Sequence, residues 1–468
     1  MAEAIVAPRR RSLAGPIVLI IIGLVFLLGN MRVITWRSIG IAFAKYWPVL
    51  IIIWGLVKLF EYYQARRANQ EPSRIGAGGV LLLIFLVLLG ISASTTYKLA
   101  PRIHAAAAQG EFEGEDGILA LLGGQNFNYT AEQQQEFGNA ATVRVESNRG
   151  AVSVITWDQP TIRVVAKKRV TAENEEEAKK LDASTQPTIT RAGDTITVRA
   201  NNTMQSQVVV FGSDIRYVRS DLEIYMPKKA ALELTTRHGD VTVRDREGNV
   251  RVTNSHGDVT VEALTGSASV SIRHGNVRGN NVTGNFSVDG RVDDTTLTHI
   301  GGLVQLSGDF FGDMNLSKVA KGVQFRSSRT DMELARLDGD LRMGGGDLYA
   351  TTVLGPVRLI TKSKDIRLEQ VTGDVRLQNS NGLVEVRTSK LGQLEIENRN
   401  GDVIVAVPQK AAFAYDVKAR HGEINSEFGE MQTAGVKNEN TTSGTIGSGG
   451  PRVAISATHG DISIRKTS

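Results

Sequence analysis

GDVTVRDREGNVRVTNSHGDVTV, residues 239–261, decides the fold of this chain. It holds three copies of Gly-x-apolar-x-apolar, each nine residues after the last, and the pattern runs on as GDVRL at 373–377, GLVEV at 382–386 and GDVIV at 401–405. Nineteen copies fit between 239 and 405, with two spacings of ten and one of seven. Fifteen begin with Gly; the others start at Asp293, Lys321, Thr330 and Lys364. Of thirty-eight apolar slots, thirty-four hold Val, Leu, Ile, Met or Phe, far more than composition alone would place there. Alternation with period two buries one face of a short strand and wets the other. Strands this short cannot bury a face alone, so each copy has to stack on its neighbours.

The glycines at Gly239, Gly257, Gly275, Gly373 and Gly401 read as turn residues with φ > 0, helped by an adjacent Asp, Asn or Ser. A longer period of eighteen lies over the nine: Arg-His-Gly-Asp at 237–240, Ser-His-Gly-Asp at 255–258 and Arg-His-Gly-Asn at 273–276 alternate with a different turn type. The fold class expected is therefore a membrane α-helical N-terminal region plus an all-β domain. The β part is expected to be a parallel β-solenoid of about 18 residues per two-strand coil. Parallel crossovers make it right-handed. An antiparallel sandwich would explain the nine-residue beat but not the eighteen-residue ladder of like turns. Outward slots hold Thr242, Thr260, Arg251, Arg358, Arg367 and Arg376, a mixed solvated face.

The first ninety-nine residues suit another solvent. Apolar runs predict spans over 13–29, 46–62 and 78–95, with Trp36, Tyr46, Trp47, Trp54, Tyr62 and Tyr63 at headgroup level. Arg9, Arg10 and Arg11 with Arg66, Arg67 and Arg74 stand against Arg32, Arg37 and Lys45. That six-to-three bias puts the N-terminus in the cytoplasm and the β domain outside it after three spans. Two spans would leave it inside. A cleaved signal peptide is disfavoured, since no Ala-x-Ala-like site follows Leu28.

Residues 100–140 read as a linker, 141–235 as the cap and first strands, and 236–468 as the repeats with closing strands. Within the cap, Glu173–Leu181 reads as a helix with Thr171 as N-cap, and strand-like runs include 207–211. A Gly/Ser/Thr-rich loop is expected at 437–450. Zero cysteines exclude a disulfide framework and thiolate chemistry, and a net charge of +5 carries no nucleic-acid signal.

Five of seven histidines precede a turn Gly, and His238, His256 and His274 would form a column beside Asp240, Asp258 and Asn276. Such a column is the only metal candidate. Asp338, Thr372 and Asn400 fill the same slot elsewhere, so the expectation is turn chemistry, with no metal and no cofactor. Glu333, Glu385 and Glu395 read as scattered, and no catalytic residue is assigned.

Two resemblances emerge from these residues. GPIVLIIIGLVFLLGN at 15–30 and WPVLIIIWGL at 47–56 resemble the LiaI-LiaF-like transmembrane region, covering about 13–60. ITWDQPTIRVVA at 155–166, DLEIYMPKKAALELTTRHGDVTV at 221–243 and GDVIVAVPQKAAFAYDVKARHGEI at 401–424 resemble the LiaG-like putative-adhesin β-strand-repeat domain, over about 141–465. The resemblance implies a bilayer-anchored, non-enzymatic interaction, adhesion or stress-sensing module of the bacterial envelope, with an envelope protein or surface polysaccharide as partner. A polysaccharide-active β-helix enzyme and a cytoplasm-facing bactofilin-like scaffold are the rival readings.

Overall fold

The computed structural model describes residues 36–67, 83–84, 87–92, 125–201, 217–431, 434–436 and 439–467. The chain forms two compact units, the first from the N-terminal region to Gln125 and the second from Asn126 onward.

In the first unit a helix, α1 (Trp36–Arg67), carries Pro48 in its interior. Its window Phe43–Phe60 has a mean hydropathy of 1.5 and is long and apolar enough to cross a bilayer. Ile52, Leu56 and Phe60 are exposed, as side chains facing lipid would be. Among the described residues this is the one helix that meets the length test. The expected span 46–62 lies inside it; 13–29 lies outside the described residues, and 78–95 is described only at 83–84 and 87–92, both helical. Gly90 packs against the ring of Trp47, where any Cβ would collide. The third apolar run therefore touches the second.

The second unit stacks short strands into two parallel ladders. One contains β8 (Ala231–His238), β10 (Val250–His256), β12 (Ala268–Ile272), β14 (Phe286–Val292), β16 (Val304–Phe310) and β18 (Val323–Arg326). The other contains β9 (Val241–Glu247), β11 (Val259–Thr265), β13 (Val277–Val282), β15 (Thr295–Ile300) and β17 (Met314–Val319). Pairing is parallel, with Val250 opposite Ala268 and Val259 opposite Val277. The turns repeat this spacing: the backbone N–H of Asp258 donates to Asp240 Oδ1, eighteen residues back, at 2.9 Å. At Gly257, φ is 122° and a Cβ would stand 2.5 Å from the carbonyl oxygen of Gly239, so the stacking distance itself requires glycine.

Each strand of the second ladder buries a third column beyond the two apolar slots. After Val241 and Val243, two outward residues follow in succession, and then Arg246 turns in. The shift is made by one residue per coil in the left-handed region: Asp245, Ala263, Asn281, His299 and Lys318, with φ between 52° and 56°. Register skips that residue, so Leu264 stands opposite Val282 and Arg246. Each bulge costs on the order of 1 kcal/mol in backbone strain and places Leu264, Val282, Ile300 and Val319 in the core. At the column's end, buried Arg246 donates to the carbonyls of Pro227 and Ala230. Burial pushes its pKa down to about 10, with Glu247 opposing the shift. Gly279, an apolar slot without a side chain, leaves room for the ring of Phe286; a Cβ there would meet that ring at 2.5 Å and Leu297 at 2.8 Å.

Within the repeats at 239–405 the parallel expectation fails at one coil. β19 (Thr330–Met343) runs antiparallel along both β18 and β17, with Phe325 opposite Met332 and Leu316 opposite Leu341. Ser327 and Thr330 close the reversing turn through three hydrogen bonds. The chain reverses again into β20 (Asp347–Thr351) and β21 (Val353–Thr361), both antiparallel to β19. Parallel stacking then resumes through β22 (Asp365–Asn381), β23 (Val384–Asn400) and β24 (Val403–Pro408).

Both ends hold an out-of-order coil. β2 (Thr142–Arg149) lies between β6 (Thr195–Arg199) and β8, and β3 (Val152–Thr156) between β7 (Tyr217–Met226) and β9. At the far end β29 (Arg452–His459) lies between β23 and β25 (Phe413–Arg420). Likewise β30 (Ile462–Thr467) lies between β24 and β26 (Ile424–Ser426).

Three expectations need correction here. The linker 100–140 contains β1 (Gln125–Glu136), a mostly polar edge strand paired with β4 (Thr161–Ala172). Side-chain bonds hold it, Arg163 to Glu132 at 2.7 Å and Thr171 to Asn126 at 2.7 Å, rather than an alternating apolar face. Thr171 therefore does not cap the helix. α2 (Glu175–Ser184) is capped by Asn174, whose side chain accepts from the Glu177 N–H at 3.0 Å. The expected loop at 437–450 contains β28 (Glu439–Ile446), recruited antiparallel to β25 because its Thr-rich sequence suits a strand once an edge is offered. The expected strand at 207–211 lies outside the described residues.

Candidate functional site

The histidines stand where the turns stack. The rings of His238 and His256 are stacked nearly parallel 4.8 Å apart, those of His256 and His274 5.2 Å apart, and His421 stacks on His459 at 5.0 Å. The adjacent carboxylates are engaged elsewhere. Asp240 accepts from the backbone of Asp258, and Asp258 accepts from Asn276 and from Arg278 at 2.8 Å. Burial pushes the Asp258 carboxyl up, but the bonds from Asn276 and Arg278 outweigh it and hold it below the usual range. Among the described residues no group of three His, Asp or Glu is placed to hold a metal ion. The turn glycines Gly239, Gly257, Gly275, Gly373 and Gly401 all have φ between 110° and 135°.

Sequence reasoning missed the residues that tie these turns together. Buried Asn254 donates to the carbonyls of Gly239 and Gly257, at 3.1 and 3.0 Å. Asn398 does the same for Gly382 and Gly401, at 2.9 and 2.8 Å, and Asn379 for Lys364 and Asn381. The signal was present as Asn-x-His/Asn-Gly at 254–257, 379–382 and 398–401.

Two surface grooves flank the reversed strand β19. One, of 740 Å³, runs along the first ladder and is lined by Glu333, Arg358, Arg376 and Glu395, with Lys321 and Asp374 at its rim. Glu333 and Glu395, read from sequence as scattered, thus share one groove. Their strands are three ladder steps apart, with Arg358 and Arg376 between them in register. Three steps are roughly 14 Å, beyond the ~5–9.5 Å of a glycosidase carboxylate pair. Arg376 further engages Glu395 at 3.5 Å.

Glu385 lies on the other ladder and is nearly buried, clamped by Arg367 at 2.9 Å and Arg387 at 2.7 Å. Burial raises its pKa, but the two arginines outweigh that and hold it below the usual glutamate range. Its stabilising contribution is therefore full above about pH 4.3 and disappears as pH falls through the lower folded value. Glu385→Gln is expected to cost about 1–3 kcal/mol at neutral pH. The gap to the parent should close in thermal melts near pH 3; a pH-independent gap would mean that the charge is not what matters.

The second groove, of 550 Å³, lies on the second ladder at the same coil. Two outward rows cross it in register: Thr296, Asn315 and Arg342 in one, Thr298, Ser317 and Asp340 in the other. Asp313 and Asp347 stand at its edge. Below it the nearly buried Lys364 donates to the carbonyls of Gly344 and Gly345. Elsewhere the outward charges pair between coils, as Arg244 does with Glu262 at 2.9 Å and Arg144 with Glu233 at 2.9 Å.

Residues 154–465 match the Toastrack DUF4097 family, and the chain belongs to it. Residues 13–59 match the LiaI-LiaF-like transmembrane region. No curated protein matches the chain. Among solved structures, one similar chain is a "putative cell adhesion protein" from Clostridium sporogenes ATCC 15579. It is 12% identical, with a TM-score of 0.17, over 73% of this chain and 100% of that one. Another is a "putative adhesin" from Bacteroides fragilis NCTC 9343, 8% identical with a TM-score of 0.18, over 72% of this chain and 97% of that one.

Proposed function

We propose that the protein is a non-enzymatic, bilayer-anchored interaction module of the bacterial envelope, its β-solenoid displayed outside the cytoplasmic membrane. The observation that carries this reading is the joining, in one chain, of a transmembrane region to a Toastrack domain. Three spans with a cytoplasmic N-terminus follow from the six-to-three bias of basic residues. The packing of Gly90 on Trp47 supports a membrane region in which the last two apolar runs pair. A right-handed coil of eighteen residues belongs to the same reading. The solenoid would act as a rigid surface: its outward residues are fixed by ladder register, so a partner meets preformed chemistry. No catalytic step is assigned, because the groove carboxylates are separated and Glu395 is paired with Arg376.

A reporter active only in the cytoplasm, fused after Gln109, should be silent, while one active only outside should work. The opposite pair of results would put the solenoid in the cytoplasm and favour the scaffold reading.

A further inference from the structure

The groove on the second ladder leaves its polar groups unused. Thr296, Thr298, Asn315, Ser317, Asp340 and Arg342 form a grid of three strands by two rows. Among the described residues, none of these six side chains makes a hydrogen bond or an ion pair within the protein. On the coils to either side several outward charges are paired. Arg278 is paired with Asp258 on one side, and Tyr349 with Glu369 and Arg367 with Glu385 on the other. The reversed strand β19 places Asp340 and Arg342 beside Ser317 and Asn315, and a register shift falls between Ser317 and Val319. Donors and acceptors spaced roughly 4.8 Å across strands and 6.6 Å along them are held rigidly and point to solvent.

A second, independent feature lies close by in the chain. Phe311 is 61% exposed and is the one large exposed aromatic among the described residues of this unit. It sits two residues before Asp313 at the groove's edge, within about 7 Å of chain, and the Arg291 guanidinium lies over its ring at 5.5 Å. An exposed ring offers an apolar platform whose cost in water is recovered only under a ligand with an apolar face.

We propose that this groove is a saccharide-binding site, taking a neutral, hydroxyl-rich glycan chain. The geometry fits that class for three reasons. Hydroxyl, amide, carboxylate and guanidinium groups together supply both donors and acceptors, which is what a polyol needs at each ring. The ring of Phe311 can stack on the C–H face of a sugar. Asp313, Asp340 and Asp347 against Arg342 disfavour an anionic polymer. The proposal rests on the display of the solenoid outside the membrane and deepens it by naming the ligand class.

The test uses the full chain in detergent or nanodiscs, titrated calorimetrically with an N-acetylglucosamine hexamer and a neutral glucose hexamer. Dextran sulfate serves as the polyanionic control. The expected result is saturable binding of a neutral hexamer, weakened at least about tenfold, or 1.4 kcal/mol, by Phe311→Ala and by Asn315→Ala. Arg251→Ala, an exposed change on the other ladder, should leave affinity unchanged, and thermal melts of all three variants should match the parent. No saturation by either neutral hexamer below about 1 mM would overturn the proposal. So would binding indifferent to Phe311→Ala and Asn315→Ala, or preference for dextran sulfate that salt abolishes. An outside-facing reporter with no glycan binding would remove this site and leave the envelope reading intact; a cytoplasmic reporter would remove both.

Discussion

Val261→Asp is expected to destabilise the solenoid by several kcal/mol, while Thr260→Asp changes it by less than about 1 kcal/mol. Val261 is fully buried, stacked in register between Val243 and Gly279, whereas Thr260 points outward between Thr242 and Arg278. An ionised carboxylate at 261 would stand among apolar side chains, with the buried Arg246 already engaged by the carbonyls of Pro227 and Ala230, so it must either protonate or open the coil. Stability in a stack is close to a sum of neighbour terms, so the damage should begin locally. Hydrogen exchange of the full chain is expected to lose protection over 240–280 before 370–405. Equal effects of the two substitutions would contradict the pairing, and uniform loss across the domain would mean one cooperative core.

Ending the chain at Gly450 should have a larger effect still. The deletion removes β29 and β30, and with them Val453, Ile455, Ile462 and Ile464, all buried. Four such side chains at about 1.5–3 kcal/mol each amount to roughly 6–12 kcal/mol, comparable to the stability of a whole domain. The loss falls in the middle of a stack, opening β23 from β25 and β24 from β26. Limited proteolysis is expected to cut within 394–446 while 231–381 survives, and a peptide of 451–467 added in trans should restore protection. A truncated chain as resistant as the parent would mean that β25 closes directly onto β23.

The stacked strands could be read from the sequence because the apolar slots at Val241 and Val243, Val250 and Val252, Val259 and Val261 repeat a pattern that only burial on one face requires. What the pattern does not contain is direction. Alternation has period two whether a strand runs up or down its neighbour, so the copies at 330–334 and 339–343 look like the others although β19 runs backwards. The spacing of seven between 339 and 346 marks that reversal, since a hairpin needs fewer residues than a coil. The spacings of ten are single-residue insertions, visible as Thr295 opposite Met314 and Val375 opposite Leu394. The third buried column escaped notice because a left-handed residue such as Asp245 or Ala263 shifts the phase by one. Buried Arg246 hid its first position as well. The candidate groove was illegible for another reason: Thr296, Asn315 and Arg342 are ordinary solvated residues until β19 brings them into one row.

The coil formed by β2 and β3 has a consequence for how the molecule comes into being. A chain made from its N-terminus produces these strands before either of their neighbours exists, and the partner of Arg144, Glu233, arrives eighty-nine residues later. Their ladders to β6, β7, β8 and β9 therefore form only after the intervening helix and strands have been delivered. At the other end the seat between β23 and β25 is filled by β29, which follows both of them in the chain. Assembly can begin in the middle, where neighbours in sequence are neighbours in space, but the two ends are completed by long-range closure, the slow step for any chain. Until β29 and β30 have docked, the stack has an unfilled slot between β23 and β25, and an exposed strand edge is what recruits other chains.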